Sequence, residues 1–450
     1  MSVDPARKAA FEVLRSVREE DSYANLTMPG VLARMSLTGR DAGFATELAY
    51  GTLRWQGFYD AILTTCVSRP WADVEPDMQS VLRLGVHQLL NMRVPSHAAV
   101  DSSCELARAL GSPGGASARA GFTNAVLRKV AAHDLQYWVE MVESVGGIDG
   151  LATRWSHPAW IVRAFQDALG ERRAELPALL AADNEPAHPV LVARPGRIDP
   201  AVLRARAEVT PGRYSPLAAV LLSGAPDALD IVRSGAVGVQ DEGSQLVALA
   251  LTRAVVQHPE NTWLDMCAGP GGKAAVLAGV AAERGINFMA VELHPHRAHL
   301  VERALGEVPA EIVVGDATTA PWGDQLFDRI LIDAPCTGLG ALRRRPEARW
   351  RKSPADLSTL GPLQRGLLKS AIAATRPGGV IIYATCSPHL AETEFVVQDA
   401  VSGREDVVIE DARGLLPEVG DVEDGPFVQL WPHRHGTDAM FLALLRKVGS

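Results

Sequence analysis

The sequence predicts a multidomain chain in which an all-α region is followed by a small α/β module and then by an α/β unit with a doubly wound parallel sheet. Three observations carry this prediction. Up to about residue 140, apolar residues fall on one side of successive helices, as with Phe44, Leu48 and Trp55, or Phe122, Val126 and Val130. Between about 150 and 235 the pattern turns mixed and is punctuated by Pro195-Gly196, Pro211-Gly212 and Gly224-Ala225-Pro226. From about 236 short apolar runs alternate with helical stretches, the signature of βαβ units.

Length agrees, since 450 residues exceed what a single typical core organises. The expected domains are 1–140, 150–235 and 236–450. In the first, Ser68-Arg69-Pro70, Pro95-Ser96 and Gly111 to Gly115 separate the helices. In the second, Trp160 to Leu169 and Pro200 to Ala207 read as helices and Pro189 to Ala193 as a strand. In the third, Thr262 to Cys267, Phe288 to Leu293, Glu311 to Val314, Asp328 to Asp333 and Val380 to Thr385 read as buried strands.

Composition narrows the function classes. No stretch is long and apolar enough to span a membrane and no leader precedes the first amphipathic helix, so a soluble cytoplasmic protein is expected, without a membrane partner. The five cysteines are few, odd in number and lack CxxC spacing, which indicates neither a disulfide framework nor a metal site. A net charge of -9 argues against coating nucleic acid by bulk electrostatics. A local basic site is still available, because Arg343 to Lys352 carries six positive charges and one negative.

The chemistry is expected at the carboxyl edge of the parallel sheet, where doubly wound folds hold ligands. On that edge fall Cys267, Glu292, Asp316, Asp333, Cys336 and Cys386. The run Cys267-Ala268-Gly269-Pro270-Gly271-Gly272-Lys273 is a glycine-rich strand-to-helix loop of the kind that lets backbone approach a ligand. A Walker phosphate loop is set aside, because Cys267 stands at its first Gly position and Ala274 follows the Lys. Gly269, Gly271 and Ala274 satisfy G-x-G-x-x-A, and Glu292 is suitably spaced for ribose hydroxyls, so a nucleoside is implied while dinucleotide and S-adenosylmethionine both remain open. Two thiols at neighbouring strand ends, in Asp333-Ala334-Pro335-Cys336 and Ala384-Thr385-Cys386-Ser387-Pro388, indicate covalent catalysis over hydride transfer. Ser387 and Pro388 read as an N-cap and first-turn proline, placing Cys386 before a helix amino terminus whose dipole favours thiolate.

Together, DMCAGPGGK (265 to 273), DAPCTGLG (333 to 340) and YATCS (383 to 387) resemble the RNA cytosine-5 methyltransferases of the ribosomal RNA methyltransferase B (Sun/Fmu) type. The resemblance covers the last 215 or so residues. In front, Ala49-Tyr50-Gly51-Thr52, Leu82-Arg83-Leu84-Gly85 with Pro95, and Gly121 to Leu127 resemble the helical RNA-binding fold of the antitermination factor NusB. The resemblance implies a Rossmann-like class I methyltransferase domain, S-adenosylmethionine as cofactor, and small-subunit ribosomal RNA as partner of a monomeric enzyme. It implies that Cys386 adds to C6 of cytosine, that Asp333 protonates or hydrogen-bonds N3, and that Cys336 assists release. The donor is then expected along Cys267 to Lys273, with Glu292 on the ribose hydroxyls, Asp316 near the adenine edge and Asp333 beside the reacting centre.

Three departures from the family pattern stand out. Gly269 replaces a common Ala, Glu292 stands where Asp is also usual, and Asp438-Ala439-Met440-Phe441 replaces Asp-Gly-Phe-Phe. For RNA contact, Arg343, Arg344, Arg345, Arg349, Trp350, Arg351 and Lys352 are candidates by charge and position, with Arg7, Lys8 and Arg15 in the front domain. Two competing readings are a non-catalytic RNA-binding or assembly factor with a relic donor pocket, and an NAD-dependent oxidoreductase.

Overall fold

The computed structural model describes residues 3–449, and within them the chain divides into two compact units. The first is 1–185 together with 342–352, and the second is 186–341 together with 353–450. The polypeptide therefore passes between units at 185/186, 341/342 and 352/353.

In the first unit Asp4 accepts a hydrogen bond from Arg7 N and Pro5 takes the first turn of the opening helix, Pro5–Glu19. Helices Gly39–Arg54, Pro76–Leu90, Ser96–Ala109 and Ala116–Val130 follow the expected breaks and share one core around Val13, Leu48, Ile62, Leu82 and Val130. Two of the glycines in the NusB-like motifs, Gly51 and Gly85, mark close helix approach. A Cβ on Gly51 would lie 2.2 Å from His87 Nε2, and one on Gly85 would lie 2.5 Å from Leu127 Cδ1.

Helical structure continues past the expected boundary at 140, through Leu135–Glu143, Gly147–Arg154, Ala159–Leu169 and Leu176–Ala182. Aromatic packing explains the attachment, since Trp155 lies 6.2 Å from Trp55 and Arg154 sits over the Trp155 ring at 4.4 Å.

The basic run 342–352 belongs to this first unit, which corrects most of its expected role in RNA contact. Arg349 is fully buried and donates to the carbonyls of Arg54, Ser156 and Asp183 and to Asn184 Oδ1 at 2.7–3.1 Å. Arg351 donates to the carbonyls of Val17, Asp21 and Ser22, and Glu347 accepts from Ala24 N at 2.9 Å. Arg345 lies over the Tyr23 ring at 4.8 Å. Trp350 packs where a Cβ on Gly57 would stand, 2.5 Å away, leaving it 39% exposed. These groups hold protein backbone and rings in place of phosphate. The charge pattern misled because a guanidinium suits clustered carbonyl oxygens as well as phosphate.

The second unit carries two sheets. The smaller is antiparallel, with strands β1 (Val190–Ala193), β2 (Val209–Pro211), β3 (Ala218–Leu221) and β4 (Val237–Val239) in the order β2-β3-β1-β4. The larger contains β5 (Thr262–Asp265), β6 (Asn287–Glu292), β7 (Glu311–Val314), β8 (Phe327–Asp333), β9 (Thr375–Thr385), β10 (Val407–Glu410), β11 (Val428–Gln429) and β12 (Phe441–Lys447). Its order is β10-β12-β9-β8-β5-β6-β7, with β11 also on β12. The five strands expected from sequence are parallel, while β12 joins β9 antiparallel and carries β10 and β11, an extension the βαβ pattern did not reveal. Strand order reverses between β5 and β8, and at such a switch point the crevice beyond the strand ends receives ligand. No helix among the described residues is long and apolar enough to cross a membrane.

Replacing Arg349 by Ala is expected to destabilise the first unit by about 3 kcal/mol, because buried carbonyl oxygens lose their donor. Arg345→Ala, on an exposed ring contact, is expected to cost under about 1 kcal/mol. Denaturant unfolding of the two variants measures the contrast, and equal effects would return Arg349 to the surface role read from the sequence.

Candidate active site

Register brings the site together. Asp265 ends β5 opposite Leu331 of β8, and Asp333 ends β8 opposite Ala384 of β9, two residues before Cys386. Ala334 N donates to Ala384 O at 2.8 Å, extending the pairing beyond the strand and fixing the loops that carry both thiols.

The glycine-rich loop leaves β5 and enters the helix Gly272–Glu283. Gly271 caps that helix at φ 107°, a left-handed conformation that L side chains rarely adopt, and a Cβ there would also lie 2.5 Å from Ala304 Cβ. Cys267 N donates to Asp265 Oδ1 at 3.3 Å, and Ala268 N donates to Val291 O at 2.9 Å. The Cys267 thiol is held protonated, since burial and then the charges of Asp265 and Asp333 push it well above its usual range.

Glu292 ends β6 and is buried, accepting from Gly269 N at 3.1 Å and from His294 N at 3.0 Å. Arg297 Nε lies 3.7 Å from Glu292 Oε2, and its Nη2 donates to Gly269 O. A Cβ on Gly269 would lie 2.2 Å from Glu292 Oε2. Two departures from the family pattern thus form one steric fact: the longer carboxylate occupies the space that alanine would need. Asp316 is exposed beyond β7, and its Oδ1 accepts from Thr318 N and Oγ1 at 2.8 and 2.7 Å. It lies one strand over from Glu292, next to Gly315, whose N donates to Glu292 O.

The loop is flanked by buried polar atoms that lack a hydrogen-bond partner among the described residues. Asp265 Oδ2 and Gln240 Oε1 are two of these. Burial, then the Asp333 charge, pushes the Asp265 carboxyl up to about 7. Gln240 also lies within 3.3 Å of where a Cβ on Gly272 would stand. Free acceptors beside this loop fit a ligand with a cationic amino-acid end and a hydroxyl-bearing sugar. Neither Asp265 nor Gln240 was singled out from sequence as a binding group.

At the reacting end, Lys273 Nζ meets Asp333 Oδ2 at 2.8 Å. Burial alone would lower the Lys273 pKa, but the charge and hydrogen bond of Asp333 outweigh it and raise it, so the ammonium persists. Cys336 Sγ and Cys386 Sγ stand 3.4 Å apart. Cys386 is lowered by the hydrogen bond from the Cys336 thiol, against burial and Asp333, with help from Lys273. Cys336 is raised well above its range by donating that bond, then by burial, by the Cys386 charge and by Glu392. Because Cys336 donates and is kept protonated by burial and Glu392, the anion of the pair falls on Cys386, with Lys273 partly offsetting the opposing charges of Asp333 and Asp438.

The expected helix dipole behind Cys386 is absent. After Pro388 the chain makes a short 3-10 turn, Leu390–Glu392, capped by His389, and the α-helix begins only at Glu394. Ser387 caps no helix. Its hydroxyl donates to Glu392 Oε2 at 2.6 Å. The ETE triplet at 392–394 gave no reason, without coordinates, to expect a buried carboxylate there.

The DAMF segment also finds a place. Gly340 N donates to Cys386 O at 2.8 Å and Gly340 O accepts from Ala439 N at 2.9 Å, so one glycine laces three loops. Asp438 is buried, and its charge opposes ionisation of Cys386.

Gly269→Ala is expected to weaken binding of S-adenosylmethionine, the donor implied by the motifs, by on the order of tenfold, through overpacking against Glu292. Adding Glu292→Asp is expected to return most of that loss. The coupling of about 1 kcal/mol is read by calorimetry on the two single variants and the double variant, and additive effects would mean the pair is independent.

The family model for 16S rRNA methyltransferase RsmB/F matches residues 253–446, and that of the NusB family matches residues 4–132. A putative methyltransferase of Mycobacterium tuberculosis (strain ATCC 25618 / H37Rv) is 50% identical over 450 residues, covering 99% of this chain and 97% of the relative. The probable ribosomal RNA small subunit methyltransferase B of Bacillus subtilis (strain 168) is 30% identical over 463 residues, covering 100% of each. The crystal structure of PH0851 superposes with a TM-score of 0.82 at 22% identity, covering 99% of this chain and 100% of that one, a likeness of fold. With relatives matched from end to end and both domain models in sequence order, the chain belongs to the RsmB/F family of 16S rRNA methyltransferases and carries a NusB-family domain in front.

Proposed function

We propose that this protein methylates C5 of a cytosine in small-subunit ribosomal RNA, using S-adenosylmethionine, through a covalent bond between Cys386 and C6. The observation that carries the reading is the 3.4 Å thiol pair beside the Lys273–Asp333 ion pair, on the edge that also bears the glycine-rich loop.

The donor, when bound, supplies an electrophilic methyl group. Cys267 to Lys273 and Glu292 would hold it, with Asp265 and Gln240 offering free acceptors and Asp316 at the far strand end. Cytosine C5 is too weak a nucleophile to take the methyl unaided. The Cys386 thiolate adds to C6, forming a C–S bond as the C5–C6 π pair moves towards C5 and the ring. The Asp333–Lys273 pair supplies a proton to N3 through the Asp333 carboxyl, which makes C5 enamine-like. C5 then takes the methyl, and the electron pair of the broken S–CH3 bond stays on the donor's sulfur, which would leave as a neutral thioether.

Release follows from the same pair of sulfurs. Once Cys386 is a neutral thioether, the anion that held the Cys336 proton is gone. Cys336 ionises to solvent and takes the C5 proton, the C–H electrons restore the C5–C6 double bond, and the C6–S bond breaks. Cys386 leaves as a thiolate facing a protonated Cys336, and N3 returns its proton to the Asp333–Lys273 pair, which restores the starting state. The target must be unstacked to expose C5 and C6, so looped or single-stranded RNA is the expected substrate. Arg343, Arg344 and Lys352, with Arg7, Lys8 and Arg15, remain the proposed backbone contacts of a monomeric cytoplasmic enzyme.

Incubation with small-subunit ribosomal RNA and labelled donor tests this reading. Cys386→Ala is expected to lower transfer at least a thousandfold and to leave no covalent adduct. Cys336→Ala is expected to accumulate a protein-RNA adduct visible on denaturing gels. An adduct in the first variant and none in the second would exchange the two roles, and full activity in both would exclude covalent catalysis.

A further inference from the structure

We infer that Glu392 is the positioning residue of the thiol pair: a buried carboxylate that ties the loop after Cys336 to the loop after Cys386 and keeps the proton on Cys336. The inference rests on the covalent reading above and goes beyond it, since none of the motifs includes this residue.

Glu392 is fully buried, where an unpaired carboxylate would be costly, yet its oxygens are met by donors from both loops. Oε1 accepts from Thr337 N at 2.8 Å and from Gln364 Nε2 at 3.3 Å. Oε2 accepts from Ser387 Oγ at 2.6 Å and from Thr337 Oγ1. Thr337 follows Cys336 and Ser387 follows Cys386, so one side chain fixes both sulfurs one residue away. Gln364 extends the clamp, donating also to Pro335 O at 2.8 Å, and Tyr383 OH holds Glu392 O at 2.8 Å. A carboxylate serving the fold alone could sit anywhere in this core; here its donors come from the two residues adjoining the reactive groups.

The charge placement adds a chemical role. Cys336 faces Glu392, Tyr383 and Cys386, whereas Cys386 faces Lys273, Asp333 and Asp438 as well as Cys336. The negative charge of Glu392 acts on Cys336 and opposes its ionisation. It thereby favours the resting pair with the proton on Cys336 and makes Cys336 a stronger base when the C5 proton must leave.

The test uses the full-length enzyme, a small-subunit ribosomal RNA transcript and labelled S-adenosylmethionine, following adduct formation and decay in a single turnover across pH. In Glu392→Gln, which keeps the shape and removes the charge, adduct decay is expected to slow about tenfold. Its rise with pH is expected to shift down by about one unit, because Cys336 becomes easier to ionise and weaker as a base. Thr337→Val removes one donor and leaves the carboxylate less quenched, so the same limb is expected to move up, which keeps the proposal testable if Glu392→Gln does not fold. A uniform loss of rate with an unmoved limb in the folded variants would reduce Glu392 to a fold residue and overturn the inference, as would wild-type behaviour. Absence of adduct in the wild type, with transfer intact, would instead reject the covalent reading itself.

Discussion

Parallel pairing of β8 with β9 is the constraint on which the site depends. With Asp333 opposite Ala384, both chains run out of sheet at the same edge, and a further backbone bond from Ala334 N to Ala384 O keeps them side by side into their loops. The two sulfurs meet because the backbones are already fastened, and a slip of one residue would turn the ending side chains to the opposite face. Next to β8, β5 begins the other half of the sheet, so the nucleoside loop and the thiol loops share one crevice while arising far apart in sequence.

Electrostatic order in that crevice comes from separating charges by distances of a few ångströms. Lys273 is fixed by Asp333 and lies near Cys386, while Glu392 is fixed by hydroxyl, amide and side-chain donors and lies near Cys336. Two chemically identical thiols are made unlike by their neighbours, with no helix dipole required. The buried acceptors Asp265 Oδ2 and Gln240 Oε1 place an unmet polar demand at the donor end, where a bound cation and hydroxyls offset a desolvation already incurred by folding.

Much of this was legible in sequence wherever a local pattern carries a local cause. The apolar runs Thr262 to Cys267, Phe288 to Leu293 and Asp328 to Asp333 became parallel strands, the first two ending at Asp265 and Glu292, because period and length leave few other solutions. Cys336 and Cys386 are adjacent because two such strands are neighbours. What escaped depended on residues that meet only after folding. Glu392 is separated from Thr337 by 55 residues and Arg349 from Arg54 by 295, and nothing in the text near either one announces its partner. The antiparallel strands β10 to β12 escaped because antiparallel pairing follows no crossover helix. The dipole argument failed because Ser-Pro starts many turns, and here it starts one too short to carry a macrodipole.

Assignment of 342–352 to the helical unit has a consequence for the order of biosynthesis. The carbonyls of Arg54, Ser156 and Asp183 emerge early on the growing chain, but the guanidinium that satisfies them is Arg349, more than 160 residues after the last of these. At roughly 5–20 residues per second, that interval lasts on the order of ten seconds or more. During it those carbonyls lack the donor that meets them in the folded unit. The helical unit is thus completed only after most of the parallel sheet has been translated, and the loop that finishes it is the one leading directly from Cys336.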